Sequence, residues 1–125
     1  MNQETVIFVL RSPIRTFRII FTLREGCSFD VEAFDGFLEL KGGTLFIGGE
    51  VCGSIVLQDK CQWKYTATYA GKTFEDYFSS GAMYPYTTDE IDYSSAYVHA
   101  KFKELAGYEL LGAVMKIVEI IDGGV

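Results

Sequence analysis

His99 is the only histidine of the chain, and Ser95 precedes it by four residues, a spacing that places two side chains on one face of a helix. Such a pair could supply a serine nucleophile and its base. Activation of the serine also needs a group that orients the imidazole and donors that stabilise an oxyanion, and the sequence marks neither. We therefore interpret His99 as a residue at the edge of the apolar face of a helix.

The cysteines are the second candidates for chemistry, because a thiolate needs only access and a depressed pKa to act as a nucleophile. Cys27, Cys52 and Cys61 are odd in number, and their spacing matches neither the paired CxxC of a zinc site nor a disulfide framework. Cys52 and Cys61 lie in strand-like segments, where free cysteine behaves as a small buried apolar residue. We expect no metal and no cofactor, and a reducing cytoplasm is the simplest setting.

Neighbouring carboxylates are the third candidates, at Glu75 with Asp76 and at Asp89 with Glu90 and Asp92. They could bind a cation or transfer protons, but acids are also favoured in the first turn of a helix by its dipole. The glycines of GGTLFIGGEVCG lack the following Lys-Ser/Thr of a phosphate loop and the G-x-G-x-x-G of a dinucleotide site. No catalytic motif stands out, so the sequence predicts a protein that is not an enzyme.

One acidic, tyrosine-rich segment, from Thr73 to Ala100, contains five acids and no lysine or arginine. Tyrosine is common at interface hot spots because it buries a large rigid area and keeps a hydroxyl group, and surrounding acids would steer a basic partner. Helical spacing would put Asp89, Tyr93 and Tyr97 on one face. The predicted partner-binding residues are Asp76, Tyr77, Tyr84, Tyr86, Asp89, Glu90, Asp92, Tyr93 and Tyr97.

The charge of the chain favours a protein partner over a nucleic acid. Net charge is −6, and the four arginines all lie in the first 25 residues. An acidic protein repels phosphate backbones, and four spread arginines do not form a basic stripe. The order of charges around the first apolar run is the reverse of a signal peptide, and no apolar run approaches the roughly 20 residues of a membrane span. We expect a cytoplasmic protein without direct nucleic-acid or membrane contacts.

The elements that must position these residues are predicted from periodicity. Residues 5–11 and 15–24 read as strands, the second with Phe17, Ile19, Phe21 and Leu23 on one face, and QWKYTATYAG alternates from Trp63 to Tyr69. Thr87 with Glu90 forms a capping box, and the apolar spacing beyond it predicts a helix over about 88–106.

Three segments are ambiguous. Residues 29–41 favour a helix, although Asp35-Gly36 is also a hairpin signal. The segment TFEDYFSSG is compatible with a short helix that Thr73 caps. Residues 108–122 fit a helix by period but slightly favour a central strand, because valine and isoleucine are dense.

The predicted fold is a single α+β domain over 1–125, with an antiparallel sheet of four to six strands and one main helix packed on one face. The leading hypothesis for function is a small acidic module that inhibits or neutralises a basic partner, of the immunity or anti-defence inhibitor type. The partner would be a toxin, a nuclease or another nucleic-acid-handling protein. The alternatives are a small-molecule site or small enzyme that uses Trp63, Tyr65 or Tyr69 with Cys61 or His99, and a subunit of a homo-oligomer, such as a homodimer.

Overall fold

The computed structural model describes residues 4–11, 16–58, 62–79 and 87–122. Within these ranges the chain forms nine strands, one short 3-10 turn (Phe34–Gly36) and two helices. The strands are β1 (Thr5–Arg11), β2 (Thr16–Arg24), β3 (Ser28–Ala33), β4 (Leu38–Lys41), β5 (Thr44–Ile47), β6 (Glu50–Gln58), β7 (Gln62–Tyr69), β8 (Lys72–Ser79) and β9 (Thr87–Tyr93). The helices are α1 (Ala96–Glu104) and α2 (Gly107–Asp122).

All nine strands belong to one antiparallel sheet with the order β8-β7-β6-β5-β4-β3-β2-β1-β9. The first eight strands follow one another as neighbours, and β9 returns to pair with the outer edge of β1. The α+β class and the antiparallel sheet are confirmed. The predicted number of four to six strands was wrong, because three segments assigned to helices are strands instead.

Residues 29–41 form β3, the 3-10 turn and β4 rather than a helix. Phe29, Val31 and Ala33 are buried at a period of two, which is the strand pattern. Phe34 and Asp35 then take left-handed backbone angles, with φ of 54° and 53°, and reverse the chain. The hairpin signal at Asp35-Gly36 therefore prevailed over the helical spacing. The segment that begins at Thr73 is likewise part of a strand, β8.

The segment 88–106, predicted to be one helix, forms a strand in its first part and a helix in its second. Residues 87–93 form β9, because they complete the hydrogen bonding of β1 from Arg11 to Val6. The helix begins only at Ala96, where the hydroxyl of Ser95 accepts a hydrogen bond from the Val98 amide at 3.1 Å. The cap is therefore Ser95 and not Thr87, and Asp89, Tyr93 and Tyr97 do not share a helical face.

Residues 107–122 form α2, so the preference for a strand in this segment was also wrong. Its seven fully buried apolar residues cover an arc of about 200° at 100° per residue. A helix resting on one flat surface needs a stripe of only about 100°. The density of valine and isoleucine that suggested a strand reflects a helix that is enclosed on more than half of its circumference.

The sheet is strongly curved, since both of its halves reach the junction of the helices. Phe102 contacts the ring of Phe8 on β1, with centroids 5.7 Å apart. Only four residues later, the carbonyl of Ala106 accepts a hydrogen bond from Trp63 on β7 at 2.8 Å. In a flat sheet, β1 and β7 would be about 29 Å apart, six spacings of about 4.8 Å. The concave face therefore wraps around the helices.

One apolar core fills this concave face, with contributions from β1 to β8 and from both helices. That arrangement agrees with the single domain predicted from the sequence. Within the described part of the chain, neither helix has the length and apolar character needed to cross a bilayer.

Candidate functional site

The end of β9 presents a tyrosine that is exposed and yet held in place. Tyr93 pairs with Val6 at the sheet edge, and its side chain is 43% exposed. Its ring stacks on the imidazole of His99, with centroids 4.3 Å apart and planes 12° apart. Such parallel stacking favours this ring position and orientation by about 0.5–1.5 kcal/mol. One face of Tyr93 therefore rests on α1.

The support beneath Tyr93 continues into the core. His99 Nε2 lies 3.0 Å from the hydroxyl of Tyr108 on α2, a hydrogen bond whose direction depends on the imidazole tautomer. The Tyr108 ring packs edge-on against Phe8 and Phe102. Burial, and to a smaller extent the neighbouring Tyr93, raises the pKa of Tyr108, so its hydroxyl keeps its proton at neutral pH. The exposed ring is thus connected through two aromatic groups to the main core.

The link between β9 and α1 is also fixed. The Ser94 amide donates to the carbonyl of Thr5 at 3.0 Å, and the Ser94 hydroxyl accepts from the Thr5 amide at the same distance. Tyr97, in the first turn of α1, is 56% exposed. Two large exposed rings, Tyr93 and Tyr97, therefore lie on either side of a hydrogen-bonded connection. We give the name Tyr93 surface to Asp92, Tyr93 and Tyr97, which lie close in sequence at the end of β9 and the start of α1. Asp92 lies on the outer face of this edge strand, and Tyr93, which pairs with the buried Val6, lies on the concave face. At 100° per residue, Tyr97 is about 160° away from His99 around α1.

Asp92 supplies the charge of this surface. It is exposed and pairs with Ile7, on the outer face of the sheet. Among the described residues, no lysine or arginine lies within 4 Å of its carboxylate. Lys101, on the next element, is paired with Glu104 at 3.4 Å. Glu90 pairs with Val9, next to a β-bulge, and the side chains of Asp89 and Glu90 lie outside the described part of the structure.

Asp76 and Tyr77 lie on β8, at the opposite edge of the sheet from β9. Asp76 pairs with the buried Tyr65 and so lies on the concave side, whereas Tyr77 is on the outer face and 47% exposed. Lys64 lies over the Tyr77 ring at 5.7 Å and 3.7 Å from Glu75. The predicted site is therefore divided between two edges. Tyr84 and Tyr86 lie outside the described residues.

The candidate nucleophiles have other partners. The Ser95 hydroxyl caps α1 and His99 bonds Tyr108, so the two do not form a Ser-His pair. Burial raises the pKa of Cys52, and this disfavours its thiolate. Cys27 is exposed, and Cys61 lies outside the described residues. The carboxylates of Glu75 and Asp76 lie on opposite faces of β8 and do not converge.

A cavity of about 330 Å³ lies beside the junction of the two helices. Trp63 lines it, whereas Tyr65, Tyr69 and His99, the other described residues named for an aromatic pocket, do not. Tyr69 and Cys52 instead border a second, shallow depression of about 560 Å³ near the β5-β6 turn. No sequence pattern indicated the other residues of the first cavity, because they come from strands, turns and helices far apart in the chain.

Comparison of the chain with protein-family models, with curated proteins and with solved structures gives no match in any of the three. The assignment of a function therefore depends on the residues and their geometry.

Proposed function

We propose that this chain is a small acidic binding protein that inhibits or neutralises a basic partner protein by covering its basic site. A toxin, a nuclease or another nucleic-acid-handling protein would present such a site. The observation that carries the proposal is the Tyr93 ring, which is 43% exposed while stacked 4.3 Å from the His99 imidazole. Interface anchors are typically aromatic side chains that are exposed and already held in position before the partner binds.

The order of this surface lowers the cost of binding. Immobilising a mobile side chain at an interface costs about 0.5–1.5 kcal/mol. His99 and Tyr108 hold Tyr93 before any partner arrives, and the Ser94 hydrogen bonds hold the connection to Tyr97. The area that the Tyr93 ring buries on binding therefore contributes to affinity with a small loss of side-chain entropy.

Electrostatics favour the β9 edge over the β8 edge as the contact surface. Asp92 has no cationic partner among the described residues, so its charge is available to a lysine or arginine of the partner. At the β8 edge, Lys64 already offsets Glu75 and covers the Tyr77 ring. A basic partner would meet local repulsion from Lys64 and attraction from Asp92.

The same charge disfavours a homodimer through this surface. A two-fold contact brings the same patch of both copies together, so the interface would contain two Asp92 carboxylates and, among the residues of the Tyr93 surface, no lysine or arginine to pair with them. Like charges placed together in an interface oppose association. We therefore favour a partner of different sequence and opposite charge.

The test begins with the purified chain as bait in lysate of its native cell, washed at low and at moderate salt, with mass spectrometry of what is retained. The retained protein is then purified and its dissociation constant measured for three forms of the bait. These are the unmodified chain, the double variant Tyr93→Ala with Tyr97→Ala, and Tyr77→Ala. Tyr77 is a matched control, because its exposure of 47% is close to that of Tyr93.

We expect a basic protein, released by moderate salt, whose activity the bait inhibits. The double variant should weaken binding by more than about 2 kcal/mol, roughly 30-fold, while Tyr77→Ala changes affinity little. Retained affinity in a double variant that is still folded would remove the Tyr93 surface from the interface. A loss of affinity with Tyr77→Ala alone would indicate that the interface is at the β8 edge.

A further inference from the structure

The cavity of about 330 Å³ lies away from the Tyr93 surface, and none of Asp92, Tyr93 and Tyr97 lines it. It opens where the β2-β3 turn, the β4-β5 turn and strand β6 approach the junction of α1 and α2. Its walls are mostly apolar, from both the sheet and the helices. The apolar side chains of these walls include Phe29, Leu40, Ile55, Trp63, Leu105 and Leu110.

A single charged residue, Arg24, is present among the described residues that line the cavity. Its guanidinium lies over Gly42, where a β-carbon would be only 3.3 Å from Nη1. Gly42 also has a φ of 59°, a left-handed angle that glycine adopts without strain. Glycine at this position thus both forms the turn and leaves space for the arginine.

Arg24 has no ion-pair partner among the described residues. Asp30 lies at the same turn but forms no ion pair with Arg24, and its Oδ1 accepts a hydrogen bond from the Gly42 amide at 3.1 Å. The mouth of an apolar cavity therefore carries one guanidinium that no described residue pairs, with five donors in a plane that matches a carboxylate.

We propose that this cavity binds a small amphiphile that has a carboxylate at one end and an unbranched apolar chain. The carboxylate pairs with Arg24, and the chain lies against Trp63 and the leucine and isoleucine side chains of the wall. The volume of the cavity limits the length of the apolar chain. At about 30 Å³ for each small group, as for a water molecule in the liquid, 330 Å³ holds roughly ten to twelve non-hydrogen atoms. This is the size of decanoate.

Two residues of the wall report occupancy without any label on the ligand. Trp63 is the only tryptophan of the chain, so the tryptophan emission of the protein comes from this cavity. Cys27 is exposed and lines the mouth, so a bound ligand should slow its alkylation. Cys52 lies outside the cavity and serves as an internal control in the same sample.

The experiment titrates the full chain with decanoate, decanol and butyrate, each below the concentration at which decanoate forms micelles. Trp63 emission and the rate of Cys27 alkylation by iodoacetamide are recorded for the unmodified chain and for Arg24→Gln and Arg18→Gln. Arg18 is a matched control, because it is an exposed arginine of the same strand and does not line the cavity.

We expect saturable binding of decanoate, protection of Cys27 but not of Cys52, and a raised melting temperature, since a ligand that binds the native state stabilises it. Arg24→Gln should weaken the binding of decanoate about ten-fold or more and leave the binding of decanol unchanged. Arg18→Gln should change the affinity for neither ligand. Butyrate should bind much more weakly than decanoate, because most of the apolar chain is missing.

Three results would overturn the proposal. Absence of both saturation and Cys27 protection would mean that the cavity takes no such ligand. Equal affinity of decanoate for the unmodified chain and for Arg24→Gln would show that Arg24 does not recognise the carboxylate. A melting temperature that falls with decanoate would identify the fatty acid as a denaturant. None of these results bears on the Tyr93 surface, so the two proposals can fail independently.

Discussion

At the scale of single residues, two tyrosines with different surroundings illustrate how position in the sheet determines chemistry. Tyr93 lies at the end of an edge strand, with one face on His99 and the other exposed. Tyr65 is only 4% exposed, on the concave face of β7. Burial, with the charges of Asp76 and Glu119 as smaller causes, raises the pKa of Tyr65 to about 12. The first ring is suited to binding and the second is a structural group.

The pKa of Tyr65 predicts a loss of stability at high pH. In the unfolded chain this phenol ionises near pH 10, whereas in the folded protein it stays protonated to about pH 12. The contribution of Tyr65 to the free energy of unfolding is therefore complete below pH 10 and is lost as pH rises toward 12. Urea unfolding at pH 9, 10 and 11 should show the unmodified chain losing more stability than Tyr65→Phe.

The comparison with Tyr65→Phe separates this residue from the other groups that titrate in the same range, because both proteins share them. If the difference in unfolding free energy between the unmodified chain and Tyr65→Phe stays constant from pH 9 to 11, this would contradict the buried, protonated state of Tyr65.

Sequence reasoning selected Asp92, Tyr93 and Tyr97 for their composition, and the structure brings these three to one end of β9 and the start of α1. It could not find the support of Tyr93 by His99, because Tyr93 ends a strand and His99 lies in the helix that follows, so no single period relates the two positions. The position of Arg24 and Cys27 at one cavity was not predicted, for a similar reason. Their role depends on a cavity whose other walls are contributed by Trp63 and Leu110, distant in the chain.

At the scale of elements, the pairing of β6 with β7 depends on a glycine. Gly53 lies opposite Ala67 in the ladder, and a β-carbon there would overlap the carbonyl oxygen of Thr66. The ladder between β5 and β6 shifts register beside this residue, between Leu45 and Phe46. The close approach of the two backbones therefore requires the absence of a side chain at position 53.

Gly53→Ala should consequently destabilise the protein by about 1–3 kcal/mol, the typical cost of overpacking a filled site. Ser54→Ala, the next residue on the outer face, is the control and should cost less than about 1 kcal/mol, since no side-chain hydrogen bond of Ser54 is seen in the described structure. Urea unfolding at neutral pH measures both. A Gly53→Ala variant as stable as the unmodified chain would show that β7 can move away without penalty.

The elements that sequence reasoning placed correctly are those whose pattern is set by their own burial. In β2 and β7, one face is in the core and the other is outside, so the residues alternate. Strand β9 is different: among its residues only Ile91 is aliphatic, and its extended form depends on pairing with β1. Helix α2 is buried on more than half of its circumference. Its apolar residues therefore do not form the narrow stripe by which a surface helix is identified in a sequence.

At the scale of the whole molecule, the net charge of −6 should act on the rate of association more than on the final affinity. With the proposed basic partner, the association rate constant should fall as ionic strength rises toward about 0.15 M, where the screening length is about 8 Å. Asp92→Lys should lower this rate constant at low salt and make it less dependent on salt.

Glu50→Lys changes the net charge by the same amount at an exposed position on β6. If Asp92 steers the partner locally, Asp92→Lys should lower the association rate constant more than Glu50→Lys does. Equal effects of the two changes would assign the steering to total charge rather than to the Tyr93 surface, and stopped-flow kinetics at several salt concentrations would distinguish these outcomes.

The position of α2 in the chain also has a consequence for protein synthesis. The ribosome produces all nine strands before the residues that fill their concave face, since α2 spans Gly107–Asp122. Until α1 and α2 emerge, the buried side of β1 to β7 has no helical layer to cover it. The nascent chain therefore carries a long apolar surface for most of its translation, which makes it a natural client for chaperones that bind exposed hydrophobic segments.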